Sequence, residues 1–432
     1  MLGTALLMLV ILLAVSVPIA AAMGVLGLAL NQFYSSMPLY LAMGEILWNS
    51  SAEYILIAIP LFVMLGEILL RSGIAERVYA AIAQWLSWLP GGLMHANIGT
   101  CAMFAATSGS SVATAATVGV VALPQVKPRK YDERLFLGTL AAGGTLGILI
   151  PPSINFILYG LLTNSSVPRL YLAGMLPGIL LAGLFMLYVL ICCIVRPSRG
   201  GEPIETTWRK RLYSLKDLVA PLFIFFVVVG SIYAGWATPT EAASLGVLAA
   251  LTLAAMERTL TFAMMRAVLE GTMRTTAMIM LIILAAQFLN FVLASIGFTD
   301  GIGKLIDGLG LGKYGTLLLI VVFYLVLGCF METISMMIAT TPVVVPVLTA
   351  LGYDPLWWGI VFVILMEAAL ITPPVGLNLY VVQAVRARGD FAELCLGALP
   401  FVGVMILMIA LLIAFPGLAM WLPGVLNPKA AG

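Results

Sequence analysis

The sequence predicts an all-α polytopic membrane protein with about ten transmembrane helices plus two re-entrant hairpins, built as an inverted-topology repeat. Three observations predict it: the composition, two apolar stretches interrupted by small polar residues, and proline signatures that recur at a fixed distance. Of the 432 residues, 62% are hydrophobic and 9% charged, where soluble domains average about 45–50% and about 25%. The mean hydropathy is +1.12. So few charges cannot solvate a globular surface of this size, and the solvent for most side chains must be lipid. A soluble enzyme, a secreted disulfide scaffold and a nucleic-acid binder are excluded.

Apolar runs near 20 residues can span a bilayer. They lie at 2–18, 19–34, 54–71, 135–160, 169–195, 218–236, 239–256, 275–296, 355–383 and 394–416. No Lys or Arg precedes Arg71, so the first run lacks the basic flank of a signal peptide and reads as a retained helix. The stretches 91–124 and 314–346 carry small polar residues at their middles. Each reads as two half-helices meeting at a tip, since irregular backbone at membrane depth must be buried in protein or line a wet cavity.

With both hairpins returning to their own side, 17 of the 21 Lys and Arg residues fall on one face, and Arg169, Lys304, Lys313 and Lys429 on the other. The first face is therefore cytoplasmic, and both termini come out opposite. The predicted organisation is scaffold helices and an interfacial arm (1–90), a first hairpin, broken helix and following helix (91–195), a cytoplasmic connector (196–217), second scaffold helices and arm (218–313), and a second hairpin, broken helix and C-terminal helix (314–432). The arms are the amphipathic stretches 74–89, with Trp85 and Trp88 as anchors, and 300–312.

The halves repeat. Ser110, Pro124 and Pro151-Pro152 recur as Glu332, Pro346 and Pro373-Pro374, each 222 residues later. After an indel, Ala173-Gly-Met-Leu-Pro177 matches Leu396-Gly-Ala-Leu-Pro400. By the charge map the two hairpins open to opposite sides, so equivalent segments run in opposite directions, an architecture of secondary transporters.

The first tip reads Thr107-Ser-Gly-Ser-Ser-Val-Ala-Thr114. Glycine permits a sharp turn, and hydroxyls and freed carbonyls are hard oxygen ligands. Small residues also serve close helix packing; the repeated distance to a broken helix favours the ligand reading. That broken helix reads Gly147-Ile-Leu-Ile-Pro151-Pro152-Ser153-Ile-Asn155. Paired prolines remove two backbone donors, so several carbonyls need partners, either a bound cation or a repair by Ser153 and Asn155. The second half has a tip at Phe330-Met-Glu332-Thr333-Ile-Ser335 and a break at Ile371-Thr372-Pro373-Pro374-Val-Gly376-Leu-Asn378. The expectation is two pseudo-symmetric cation sites, each between a tip and a break. Na⁺ is favoured, because a divalent ion would draw more carboxylates.

Other ionisable residues read as follows. Glu241 caps a helix start, Glu67 pairs with Arg71 at i,i+4, and His95 is interfacial. Glu332 and Glu367 are open between satisfying backbone and holding a cation or proton. The five cysteines read as buried apolar residues without metal-ligand spacing.

These residues resemble the large membrane subunit of the tripartite ATP-independent periplasmic (TRAP) transporters, within the ion-transporter superfamily. The likeness is carried by Ser108-Gly-Ser-Ser111 with Ala113-Thr-Ala-Ala116, Ile150-Pro-Pro-Ser-Ile154, Ala237-Thr-Pro-Thr-Glu-Ala-Ala243, Ile371-Thr-Pro-Pro-Val-Gly-Leu-Asn378, and the stretches 60–67 and 66–77. It implies an elevator-type Na⁺-coupled importer of organic acids (C4-dicarboxylates, sialic acids, keto acids or sugar acids) in the bacterial inner membrane. It also implies a small four-helix membrane subunit and a soluble periplasmic substrate-binding protein as partners, with lipid around the chain. Carried onto this sequence, the tips and breaks give Ser108, Gly109, Ser110, Pro151, Ser153, Asn155, Glu332, Thr333, Thr372, Pro374, Gly376 and Asn378 as ligands for two or more Na⁺. Ser111, Thr114, Ser153, Ser335 and Asn378 would face substrate. One departure is Gly143-Gly144, where family members often carry small hydroxyl residues.

No Lys or Arg lies inside either hairpin or broken helix, so an anionic substrate would depend on helix N-termini and bound cations. An intramembrane enzyme fails for want of a His-Glu-x-x-His pair or a histidine near the tip serines. A stand-alone Na⁺/carboxylate symporter and a channel are the remaining alternatives.

Overall fold

The computed structural model describes residues 2–15, 17–202, 204, 206–298, 301, 310–329, 331–374 and 376–426. Among these, every regular element is helical. Among the described residues, seven helices are long and apolar enough to cross a membrane: Tyr54–Arg71, Val167–Val195, Trp208–Tyr233, Pro239–Met256, Phe262–Ser295, Thr333–Ala350 and Phe391–Ala414. Two of the ten expected spans are instead interrupted by the paired prolines, and two at the N-terminus are shorter helices, Leu2–Ala14 and Ile19–Tyr34.

Other differences concern ends and short elements. The span expected from 275 begins at Phe262, where Thr261 caps it, and runs 34 residues. Helix enters the expected connector at Trp208, capped by Thr207. A further helix, Gly417–Leu426, follows the last expected span and packs against Val167–Val195. The first arm forms as Ile74–Leu86. Trp88 is exposed as an anchor should be, whereas Trp85 is half-buried edge-on against Trp208. The second arm, 300–312, lies largely outside the described residues.

The hairpin arms are Leu93–Ser108 with Ser111–Ala122, and Gly312–Gly328 with Thr333–Ala350. The broken helices are Glu133–Thr145 with Ile154–Thr163, and Pro355–Ile371 with Leu377–Arg386. Each hairpin packs both arms on the first half of its own broken helix. The second arm of each also packs on the second half of the other repeat's broken helix: Ser111–Ala122 on Leu377–Arg386, and Thr333–Ala350 on Ile154–Thr163. The halves are therefore interlocked rather than side by side. Glycines make the closest approaches possible. A Cβ on Gly138 would fall 2.2 Å from the Gly397 carbonyl oxygen, and one on Gly397 would fall 2.1 Å from that of Arg134.

Against this body pack Ala58–Arg71 and Phe262–Ser295, which also contact each other, Ile19–Tyr34 and Pro239–Met256. The cations of the described ion pairs are Arg71, Arg77, Lys130, Arg134, Arg199, Arg266 and Arg386, all from the expected majority face. Among them Arg386 joins Glu133 across the repeats and Glu393 within its own.

Candidate functional site

Both tips and both breaks meet at one cavity of about 140 Å³. Tip 1 is a tight turn because Gly109 adopts φ 61° and Ser110 is extended, its hydroxyl accepting from the Ala113 N–H at 3.4 Å. The tip nests on the first break. A Cβ on Gly109 would stand 3.0 Å from the Pro152 oxygen, and one on Gly147 would stand 2.8 Å from the Ser110 carbonyl. The Ser111 hydroxyl donates to the Thr145 carbonyl at 3.5 Å.

At the first break the helix tightens over Leu146–Ile148, passes a cis Pro151-Pro152 bond and restarts at Ile154. The Ser153 hydroxyl donates to the Ile148 carbonyl at 2.5 Å, and the Ser153 carbonyl accepts from the Tyr171 hydroxyl at 3.4 Å. Asn155 is buried with no partner for its Nδ2. The second break also has a cis bond, Pro373-Pro374, but is one residue longer: Asn155 is the third residue after Pro152, Asn378 the fourth after Pro374. Gly376 at φ 37° absorbs the extra residue. The Thr372 hydroxyl donates to the Ala368 carbonyl at 2.6 Å, and the Pro374 carbonyl accepts from the Tyr380 hydroxyl at 3.3 Å. Asn378 is buried; its Nδ2 donates to the Ala141 carbonyl at 3.4 Å, while its Oδ1 has no partner.

At tip 2, Glu332 caps Thr333–Ala350. Its oxygens accept from the Thr333 hydroxyl at 3.1 Å, the Ser335 N–H at 3.0 Å and the Ser335 hydroxyl at 3.2 Å.

Of the residues expected from the sequence, Gly109, Ser110, Ser111, Asn155, Glu332 and Thr333 line the cavity. Thr114, Pro151, Ser153, Ser335, Thr372, Pro374, Gly376 and Asn378 are not in its lining; Thr114, Ser153 and Ser335 spend hydroxyl hydrogen bonds on nearby backbone or Glu332. The side chain of Ser108 lies outside the described residues. Glu367 is fully buried with neither oxygen hydrogen-bonded.

Glu241 forms the capping box expected of it, with Thr238. His95 is buried within the protein, with Nε2 bonded to the Pro90 carbonyl at 2.8 Å. Glu67 makes the expected pair with Arg71 at 3.0 Å, but it also lines the cavity, with Thr275 and Ile279. Gly271 makes room for it, since a Cβ there would meet the Glu67 carboxylate at 2.7–2.8 Å. The available signal was an acid inside an apolar run, one turn from its cation.

The electrostatics follow from helix starts. Four helices begin at lining residues: Ser111–Ala122, Ile154–Thr163, Thr333–Ala350 and Leu377–Arg386. Each N-terminus presents unpaired N–H groups and about +0.5 of an elementary charge. The lining contains Glu67 and Glu332 and no Lys or Arg. The arrangement offers positive backbone potential, neutral hydroxyl and amide oxygens, and two carboxylates in one small space. Among the described residues, no group of three or more His, Cys, Asp or Glu is placed to hold a metal.

Residues 6–418 match the family model described as "Tripartite ATP-independent periplasmic transporter, DctM component". The chain is 33% identical to the C4-dicarboxylate TRAP transporter large permease protein DctM of Vibrio cholerae, covering 95% of each. It is 30% identical to the sialic acid TRAP transporter large permease protein SiaM of the same species, covering 86% of each. Among solved structures it is similar to the YdaH transporter of Alcanivorax borkumensis, with a TM-score of 0.57, 15% identity and coverage of 89% and 88%; at that identity the likeness concerns the fold. An interlocked, all-helical membrane body with two proline-broken helices is thus a transporter component and not an enzyme, and the chain belongs to the DctM family of TRAP transporter large membrane subunits.

Proposed function

We propose that this chain is the large membrane subunit of a Na⁺-coupled secondary importer of organic acids in the bacterial inner membrane, working by an elevator motion. The single observation that carries the reading is the cavity at which four helix N-termini converge without a basic side chain. A carboxylate suits those N-termini. Bound cations would offset Glu67, Glu332 and the substrate's own charge, making a small anion tolerable at membrane depth. Neutral donors such as the Ser110 hydroxyl and the Asn378 Oδ1 fit Na⁺ better than a divalent ion. The similarity to C4-dicarboxylate and sialic acid permeases favours the same chemical class, with keto and sugar acids included.

In this reading the hairpins and broken helices carry substrate and at least two Na⁺ past a scaffold that includes Ala58–Arg71 and Phe262–Ser295, exposing the site to each side in turn. A periplasmic binding protein delivers the substrate, and a small four-helix subunit extends the scaffold. Both termini face the periplasm.

The test is uptake into proteoliposomes holding this chain with both partners. An inward Na⁺ gradient is expected to drive concentrative, saturable uptake of a carboxylate. Ser110→Ala and Asn378→Ala are expected to weaken the Na⁺ dependence without preventing membrane insertion. Undiminished uptake in Na⁺-free buffer, with no other cation gradient, would overturn the coupling. Equal uptake by this chain alone would replace the reading with a stand-alone symporter, and uptake that never saturates would replace it with a channel.

A further inference from the structure

The half-helix Leu377–Arg386 starts at the second break and is held at both ends by the other repeat. Near its start, Asn378 Nδ2 donates to the Ala141 carbonyl at 3.4 Å. At its end, Arg386 Nη2 reaches Glu133 Oε1 at 2.7 Å. Eight residues separate Asn378 from Arg386 and eight separate Glu133 from Ala141, about 12 Å on either helix at about 1.5 Å per residue. The two helices therefore lie antiparallel in a fixed register.

The Arg386 end is a built site. Its side chain is only 7% exposed, and Nη2 also meets Glu393 at 2.9 Å. Nη1 donates to the Asp390 carbonyl at 3.1 Å. Gly389 at φ 120° leaves the guanidinium its space, since a Cβ there would overlap it at 2.2–2.6 Å. The planar, multidentate fork is what arginine supplies and lysine does not. The first repeat has an uncharged counterpart: Tyr159, on Ile154–Thr163, donates to the Pro355 carbonyl at 2.7 Å.

We propose that Arg386 is a positioning residue for cation binding at the second break. With Glu133 and Glu393 it holds Leu377–Arg386 in register against Glu133–Thr145, so that Asn378 keeps its free Oδ1 where a cation meets it. Because Glu133–Thr145 leads directly into the first break, the same contact makes the two breaks bind their cations cooperatively. The inference rests on the Na⁺ reading given above.

The experiment titrates the purified full-length protein with Na⁺ alone, reading thermal stability and intrinsic fluorescence rather than transport. The wild type is expected to respond with a Hill coefficient above 1. Arg386→Gln should raise the half-saturating Na⁺ concentration about tenfold and bring the Hill coefficient to 1. Arg386→Lys should recover part of the loss. Adding Asn378→Ala to Arg386→Gln should cost little more than either alone, as expected for residues acting in one network. Glu133→Gln leaves the Arg386–Glu393 pair in place and carries the test if Arg386→Gln fails to fold; a smaller loss of the same kind is expected. Lys130→Gln, which breaks a surface pair with Glu202, should leave the titration unchanged. Unaltered half-saturation and Hill coefficient in Arg386→Gln or Glu133→Gln, or full additivity with Asn378→Ala, would overturn the proposal while leaving the Na⁺ reading intact. A wild type without any Na⁺ response would overturn both.

Discussion

The two breaks share proline spacing and a cis Pro-Pro bond, yet they are packed very differently. Around the first, residues 145–160 are buried throughout. Its freed Ile148 carbonyl is claimed by Ser153, and the tip stacks on it through Gly109 and Gly147. At the second, Pro374 and Leu377 are exposed, Gly376 takes up an extra residue, and the restarted helix is steadied by the other repeat through Asn378 and Arg386. Sequence symmetry thus fixes where the helix must break, and packing decides how deeply the break is buried. The first break is the more deeply buried one; at the second, the buried Asn378 Oδ1 has no partner.

The strongest challenge to that contrast is Gly147→Ala. Its new Cβ would meet Ser110 backbone atoms at 2.8 Å, and backbone cannot swing aside. A loss of about 2–3 kcal/mol and a more than tenfold fall in uptake are expected; a wild-type melting temperature and uptake rate would mean the first break is not closely packed. Next comes Ser153→Ala, which strips a buried carbonyl of its partner and should cost about 2 kcal/mol. The matched change Thr372→Ala, at a half-buried position whose hydroxyl serves a carbonyl of its own helix, should cost about 1 kcal/mol. Chemical or thermal denaturation of both variants in detergent tests the ordering, and equal losses would erase the distinction. Gly376→Ala should cost about 1 kcal/mol through its left-handed backbone, its new Cβ coming closest to Leu379 side-chain atoms at 2.8 Å and to the Thr372 carbonyl only at 3.1 Å. A loss as large as that of Gly147→Ala would make the second break equally closely packed.

The smallest effect lies away from both breaks. Lys130 donates to Glu202 at 2.7 Å, and that contact holds the Glu202 carboxyl below the usual carboxylate range. A lowered folded value means the pair stabilises above the unfolded carboxylate range and loses its contribution as pH falls through the folded value. Both groups are exposed, so the gain is slight. Lys130→Gln should lower the melting temperature marginally at neutral pH and not at all once Glu202 is protonated. A difference that persists at low pH would assign the effect to something other than this pair.

Much of the fold was legible because membrane burial leaves the backbone few options. Paired prolines, a glycine with hydroxyls in an apolar run, and the segregation of Lys and Arg each announce themselves locally. The candidate cavity was legible in its tips, since Gly109, Ser110, Ser111, Glu332 and Thr333 all line it. It was less legible in its breaks, where Asn155 lines the cavity but Ser153 and Asn378 do not. A hydroxyl's direction depends on which carbonyl lies nearest, and no spacing rule encodes that. Glu67 was read only as an ion-pair partner because nothing near it in sequence reveals that Gly271 opens a path beside it.

By itself the sequence pointed to lipid as the solvent and to where two helices must break, and it led to the expectations that most cations share one side and that the halves repeat. These follow from hydropathy, from proline's missing N–H and from the energetic cost of charge in hydrocarbon, all properties of short segments. Only the tertiary structure decided that each hairpin grips the other copy's broken helix, that four helix starts converge on one space, and that Arg386 bridges the repeats. Those depend on close approach between segments hundreds of residues apart, such as Gly138 against Gly397, where the absence of a side chain on both sides lets two backbones touch.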